Sequence, residues 1–189
     1  MIGASQYTTQ VSGGTIYVSP LSTLPLRNVP VIAPSFPLET DDIDSAAVAA
    51  QIKTLLKRLD FYEAGTPVAV FVPWRGSATF QRLDAFCRGL TDGLAEVLAD
   101  GHPLVLAGDG DVGGLIGIHL REEMQLDNAI VSVDGLELKE FDYIDIGGML
   151  PHSGAVPVVI KSLIFPASAA ARPKPQSAII GKAASIARR

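Results

Sequence analysis

Apolar positions along the chain switch between two periods in a regular order. Ile52, Leu55, Leu56 and Leu59 fall at i, i+3, i+4 and i+7, the spacing of one helix face. Leu83, Cys87, Leu90, Leu94 and Val97 trace a second stripe, and residues 112–124 predict a third helix. Between them, residues 68–72, 104–107 and 130–133 are apolar runs of strand length. This β-α-β-α-β order predicts an α/β domain whose sheet is mixed but mainly parallel, with right-handed crossovers and flanking helices. Residues 2–18, with Thr, Val, Ile and Tyr around Gly13 and Gly14, predict two short strands with a turn. Pro20, Pro25, Pro30, Pro34 and Pro37 exclude a helix from residues 19–40 and leave extended connections or edge strands. Asp41, Asp42 and Asp44 then put negative charge where the dipole of the first helix favours it.

Residues 142–165 read D-Y-I-D-I-G-G-M-L-P-H-S-G-A-V-P-V-V-I-K-S-L-I-F. The string predicts a short strand, a turn and a long apolar strand, the two strands forming an antiparallel addition to the sheet. Because residues 156–165 show no clean alternation, the long strand is expected to be covered on both faces. Lys161 inside it needs a partner, such as Asp142 or Asp145. Residues 1–165 thus form the predicted domain, and residues 166–189 a flexible Ala/Pro-rich tail. In that tail Ile179, Ile180, Ala183 and Ile186 would share one side of a short helix.

Composition narrows the possibilities. Of 189 residues, 48% are hydrophobic but only 6% aromatic, so the core must be aliphatic. Residues 1–165 carry all 20 acids and ten of the 15 bases; the tail carries Arg172, Lys174, Lys182, Arg188, Arg189 and no acid. A body this acidic disfavours nucleic acid as a partner. No apolar run is long enough for a membrane span, and no signal-peptide pattern opens the chain. The single cysteine, Cys87, has no internal disulfide partner and suits a reducing cytoplasm.

The sharpest motif is Gly108-Asp109-Gly110-Asp111-Val112-Gly113, a GxGxxG between a strand and a helix, with Asp134 about where a ribose-binding acid would stand. Asp109 and Asp111, however, put carboxylates where a pyrophosphate should lie; they could instead cap the helix or hold Mg²⁺. Histidines 102, 119 and 152 lack metal-ligand spacing, and Cys87 reads as a small core residue. The hydroxyl-rich loops at residues 3–9 and 12–15 could contact phosphate or simply form turns. Trp74 beside Arg75 is either an exposed partner-binding anchor or a tryptophan folded back on the core.

Four blocks occur in one order: residues 2–16, residues 24–31 (L-P-L-R-N-V-P-V), residues 103–120 and residues 142–165. In them the chain resembles the C-terminal portion of the ethanolamine ammonia-lyase reactivating factors, the ethanolamine utilization protein EutA family. The resemblance implies part of the second half of an actin-like, Hsp70-like ATPase fold. It also implies a chaperone-like role in the ATP-dependent release of damaged cobalamin from ethanolamine ammonia-lyase, the expected partner. ATP and Mg²⁺ are expected only for a full-length member, because the family's D-x-G-T-T, D-I-G-G-G-T and S-G-G-V-G loops have no counterpart here. No cofactor and no catalytic residue are therefore carried over to this chain, which reads as an excised C-terminal fragment or a natural short relative. Cytoplasmic location, association with a bacterial microcompartment and a homo-oligomer are compatible expectations. The alternative is a small dinucleotide- or metal-binding enzyme using the loop at residues 108–113.

Overall fold

The computed structural model describes residues 4–60 and 67–164. Along the chain come β1 (Ala4–Val11), β2 (Tyr17–Ser19), β3 (Leu26–Ile32), α1 (Ser45–Arg58), β4 (Ala69–Val72), α2 (Phe80–Gly93), α3 (Ala95–Ala99), β5 (Leu104–Gly108), α4 (Gly113–Ile118), β6 (Ile130–Val133), β7 (Tyr143–Ile146) and β8 (Pro157–Ile164). The strands form one sheet in the order β1-β8-β7-β3-β4-β5-β6-β2. Only the centre, β3 to β6, is parallel; β2 on one side and β7, β8 and β1 on the other pair antiparallel. The expected antiparallel addition of β7 and β8 is present. The sheet is less parallel than its β-α order predicts, because both flanks are built from strands that no helix precedes.

β1 and β2 are not a hairpin. They are the two opposite edges of the sheet, although only residues 12–16 separate them. A flat eight-stranded sheet would put its edges about 34 Å apart. A connection this short spans at most about 20 Å, so the sheet must curl towards closure. Ser12 N–H donates to Val156 O and Gly13 N–H to Asp134 O, each at 2.9 Å, tying the connection to both sides of the curl. The curl encloses one core, with Val29, Val31, Val105, Val131, Ile144 and Ile160. The helices cover a second core outside it, with Ile32, Val70, Leu106, Ile52, Phe86 and Leu90.

Local chemistry sets the helices. The Asp44 carboxylate caps α1 by accepting from Ala46 N at 2.9 Å, and Thr79 caps α2. The two helices approach closely because Gly89 and Gly93 face Val48 and Ile52; a Cβ on either glycine would lie 2.7–2.8 Å from those side chains. The third predicted helix is α4 followed by a wide turn over His119–Glu123. No helix among the described residues is long and apolar enough to cross a membrane.

Two expectations need correcting. β3 is not an edge strand despite Pro30: its first part pairs with β7, its end with β4, and Pro30 falls at the handover. β8 is not covered on both faces. Val158 and Ile160 are buried, whereas Pro157, Val159 and Lys161 alternate with them on a half-exposed face. Apolar side chains on that outer face hid the alternation from the sequence. The tail at residues 166–189 lies outside the described residues.

Candidate functional site

The carboxyl ends of β3 to β6 share one end of the sheet, the place where open α/β folds bind ligands. The loops there bring together most of the residues singled out by motif. Arg75, after β4, donates to the Asp109 carboxylate after β5 at 2.8 Å. A Cβ on Gly110 would lie 4.0 Å from Trp74 Cβ. Of its two possible placements, Trp74 takes the inward one: it is 6% exposed, meets Phe86 edge-on at 5.6 Å and donates from Nε1 to Gly76 O at 3.1 Å. It is therefore no exposed anchor, while Arg75 remains at the surface.

Arg82, unnoticed in the sequence, organises this loop. It is 4% exposed, stands 5.1 Å over the Trp74 ring and donates to the carbonyls of Leu38, Arg75 and Ser77. Its sequence trace is phase alone: residue 82 is four and eight positions before the buried Phe86 and Leu90, so an arginine interrupts an apolar stripe.

Asp134 is fully buried at the end of β6. One of its carboxylate oxygens accepts from the Thr15 hydroxyl; the other has no partner among the described residues, and neither does the buried Ser132 hydroxyl. Burial pushes the Asp134 carboxyl above its usual range, the Thr15 hydroxyl pulls against this, and the Asp111 charge adds to the rise. The Thr15 carbonyl accepts from Gly114 N–H at 2.7 Å, and a Cβ on Gly113 would lie 2.9 Å from that same carbonyl. The connection at residues 12–16 thus occupies the start of α4, where the GxGxxG reading needs a pyrophosphate. Asp134 latches that connection and is not open to a ribose.

Gly108 ends β5 and Gly113 starts α4, with Asp109 between β5 and Arg75 and Asp111 exposed. Among the described residues, no group of three or more His, Cys, Asp or Glu side chains could hold a metal ion, so Asp109 and Asp111 have no third ligand of that kind. A pocket of about 410 Å³ opens beside Asp109, lined also by Phe71, Gly135, Leu136, Glu137, Leu138 and Lys139. Its charged lining is mixed, Asp109 and Glu137 beside Lys139, with Asp109 already paired to Arg75.

Elsewhere, His119 is buried with Nε2 3.2 Å from Asp84 Oδ1 and its ring against Phe80. Cys87 is buried and its thiol is pushed up to about 12 by desolvation, which suits core packing and not nucleophilic chemistry. His152 is exposed in the turn between β7 and β8. Lys161 finds its partner in Asp145 at 2.8 Å and also donates to Asn28 Oδ1 at 2.8 Å; Asp142 instead accepts from Ser162.

The family model described as "Ethanolamine utilisation protein EutA" matches residues 1–166. The ethanolamine ammonia-lyase reactivase EutA of Escherichia coli (strain K12) is 34% identical over 167 residues, covering 88% of this chain and 33% of the relative. Its namesake in Salmonella typhimurium is 32% identical over 167 residues with the same coverage of both chains. The chain thus spans about a third of the length of the curated relatives it matches. No solved structure matches the chain significantly.

Proposed function

This chain belongs to the ethanolamine utilisation protein EutA family, and from that premise we propose that it is a partner-binding domain of a reactivating factor for ethanolamine ammonia-lyase. The observation that carries this reading is the extent of the match: residues 1–166 take in every strand and helix from β1 to β8. The match therefore describes the folded body itself and not an isolated motif. Two polar pairs at the carboxyl ends of the strands, Arg75 with Asp109 and Thr15 with Asp134, brace the loops there, which supports a domain that presents a fixed surface to a partner.

The activity we propose for the whole factor is chaperone-like, an ATP-dependent release of damaged cobalamin from the lyase in the cytoplasm. For this chain we propose a place within the second half of an actin-like fold. Its own donor set does not fit a nucleotide: Asp109, Asp111 and Glu137 oppose phosphate, and the Gly114 amide is already bonded to Thr15. No step of the proposed role runs through ATP or Mg²⁺ on these residues. We assign that chemistry to the two-thirds of the longer relatives that this chain does not span.

The test is binding of the purified chain to the lyase in active, inactivated and cobalamin-free forms. Binding to the inactivated form is expected, and no binding to any form overturns the reading. Titration with ATP and Mg²⁺ is expected to give no heat of binding. The sole tryptophan, Trp74, lies beside Gly110 and would respond to a cofactor on that loop; nicotinamide cofactors are expected to leave its fluorescence unchanged.

A further inference from the structure

The two edges of the sheet are guarded very differently. β2 is three residues long and runs directly into Pro20, so it offers little backbone to a neighbour. β1 is eight residues long and pairs with β8 along its whole length. On its other side no strand lies among the described residues. Its sequence, A-S-Q-Y-T-T-Q-V, has no charge, no proline and no glycine. Tyr7 is 67% exposed and Val11 56%, and Gln6, Thr8 and Thr9 are exposed as well. The strand itself thus carries neither of the sequence protections of an edge, charge or proline, while Tyr, Thr and Val favour strand pairing.

Charge indicates what this edge fits. The chain carries a net charge of -5 with all 20 acids in residues 1–165, so two such acidic bodies repel one another. No Asp, Glu, Lys or Arg occurs before Arg27, and no acid before Glu39. The neighbouring β8 has Lys161 as its single charged residue, already paired with Asp145. β1 is thus the long strand where two copies can meet without like charges facing one another. Antiparallel pairing about a twofold axis near Thr8 would set Thr8 against Thr8 and Gln6 against Gln10, uncharged partners that hydrogen-bond to one another.

We propose that β1 pairs antiparallel with β1 of a second copy, joining the two curled sheets edge to edge in a homodimer. The interface is independent of the proposed role with the lyase and stands or falls without it.

Sedimentation equilibrium of the full chain should give twice the 19.9 kDa monomer mass. Thr8→Lys and Thr8→Glu should each be monomeric, because each sets like charges across the axis, and their equimolar mixture should recover the dimer. Since Thr8 is exposed, both variants should keep the wild-type circular dichroism, and their Tm should equal that of wild type diluted below its dimer dissociation constant. A wild type that stays monomeric at the highest concentrations overturns the proposal. So does a dimer that survives in both single variants, or a mixture that fails to reassociate. A monomer that dimerises only when residues 165–189 are deleted also overturns it, and assigns the edge to that segment. A monomer whose lyase binding is lost in Thr8→Lys overturns it in favour of a strand from the lyase.

Discussion

Lys161→Met keeps the apolar stem of the side chain but removes the ammonium that bridges three strands. Nζ of Lys161, on β8, donates at 2.8 Å both to the Asp145 carboxylate on β7 and to Asn28 Oδ1 on β3. Asn28 stands at φ 54, a left-handed conformation that must be held by its surroundings, and its N–H donates to the same Asp145 at 2.7 Å. Breaking a fully buried pair costs about 3–5 kcal/mol, whereas an exposed pair contributes about 0–1 kcal/mol. Here the side chains are 26% and 20% exposed, between those limits. The expected loss is about 1.5 kcal/mol, which for a chain of this length lowers Tm by roughly 3–6 °C.

Urea and thermal unfolding followed by circular dichroism measure that loss, and a cycle with Asp145→Asn isolates the pair, with a coupling of about 1 kcal/mol expected. The pH dependence adds an independent check. Burial pushes the Asp145 carboxyl up, but the Asn28 N–H and Lys161 outweigh it and hold the group below its usual range. Such a depressed carboxylate contributes stability that is fully present above the unfolded value of about 3.9 and lost as pH falls through the folded value. The gap between wild type and Lys161→Met should therefore be constant near neutrality and close below about pH 4. A gap under about 0.3 kcal/mol at neutral pH, or one unchanged at about pH 2, refutes the reasoning.

Two further outcomes test other parts of the fold. In Gly117→Ala the new methyl would overlap Tyr17 Cβ and Cγ and lie 2.7 Å from Cδ1, so seating α4 on β2 should cost about 1–3 kcal/mol in urea unfolding; wild-type stability would show that the two elements do not pack this closely. Asp134→Asn tests the latch through its pH dependence. Because the Asp134 carboxyl is raised, ionising it penalises the folded state as pH climbs from the unfolded value of about 3.9 through the folded one. The stability of Asp134→Asn relative to wild type should accordingly rise with pH across that window, and a flat difference between acid and neutral pH would mean that Asp134 is not held in a desolvating site.

The helices and the parallel strands were legible because their signals are local. A 3.6-residue stripe, an aspartate at a helix start and apolar runs of strand length each act within a few positions. The curl of the sheet has no local signature, since it follows from a short connection between strands that pair at opposite edges. For the same reason the candidate site was legible in place but not in content. The strand order indicates that Trp74, Asp109 and Asp134 gather at one end of the sheet. It does not indicate that Thr15 arrives from the N-terminal connection to cover the start of α4 and latch onto Asp134. Arg82 shows the limit most clearly, because an arginine in phase with Phe86 and Leu90 reveals burial only once its three carbonyl partners are seen.

The strings at residues 24–31 and 142–165, far apart in sequence, become the neighbouring strands β3, β7 and β8. Their polar residues are one another's partners: Asn28 reaches Asp145 across 117 positions and Lys161 across 133. The most distinctive polar chemistry in the chain is thus spent on internal bracing, and the surface available for recognition must lie elsewhere. This separates two kinds of perturbation. Lys161→Met should change stability while leaving self-association intact at temperatures where the chain is folded. Thr8→Lys should abolish self-association while leaving the stability of the monomer, measured on wild type diluted below its dimer dissociation constant, unchanged. If either substitution moved both self-association and the stability of the monomer, bracing and recognition would share residues, and β1 could not be an independent interface.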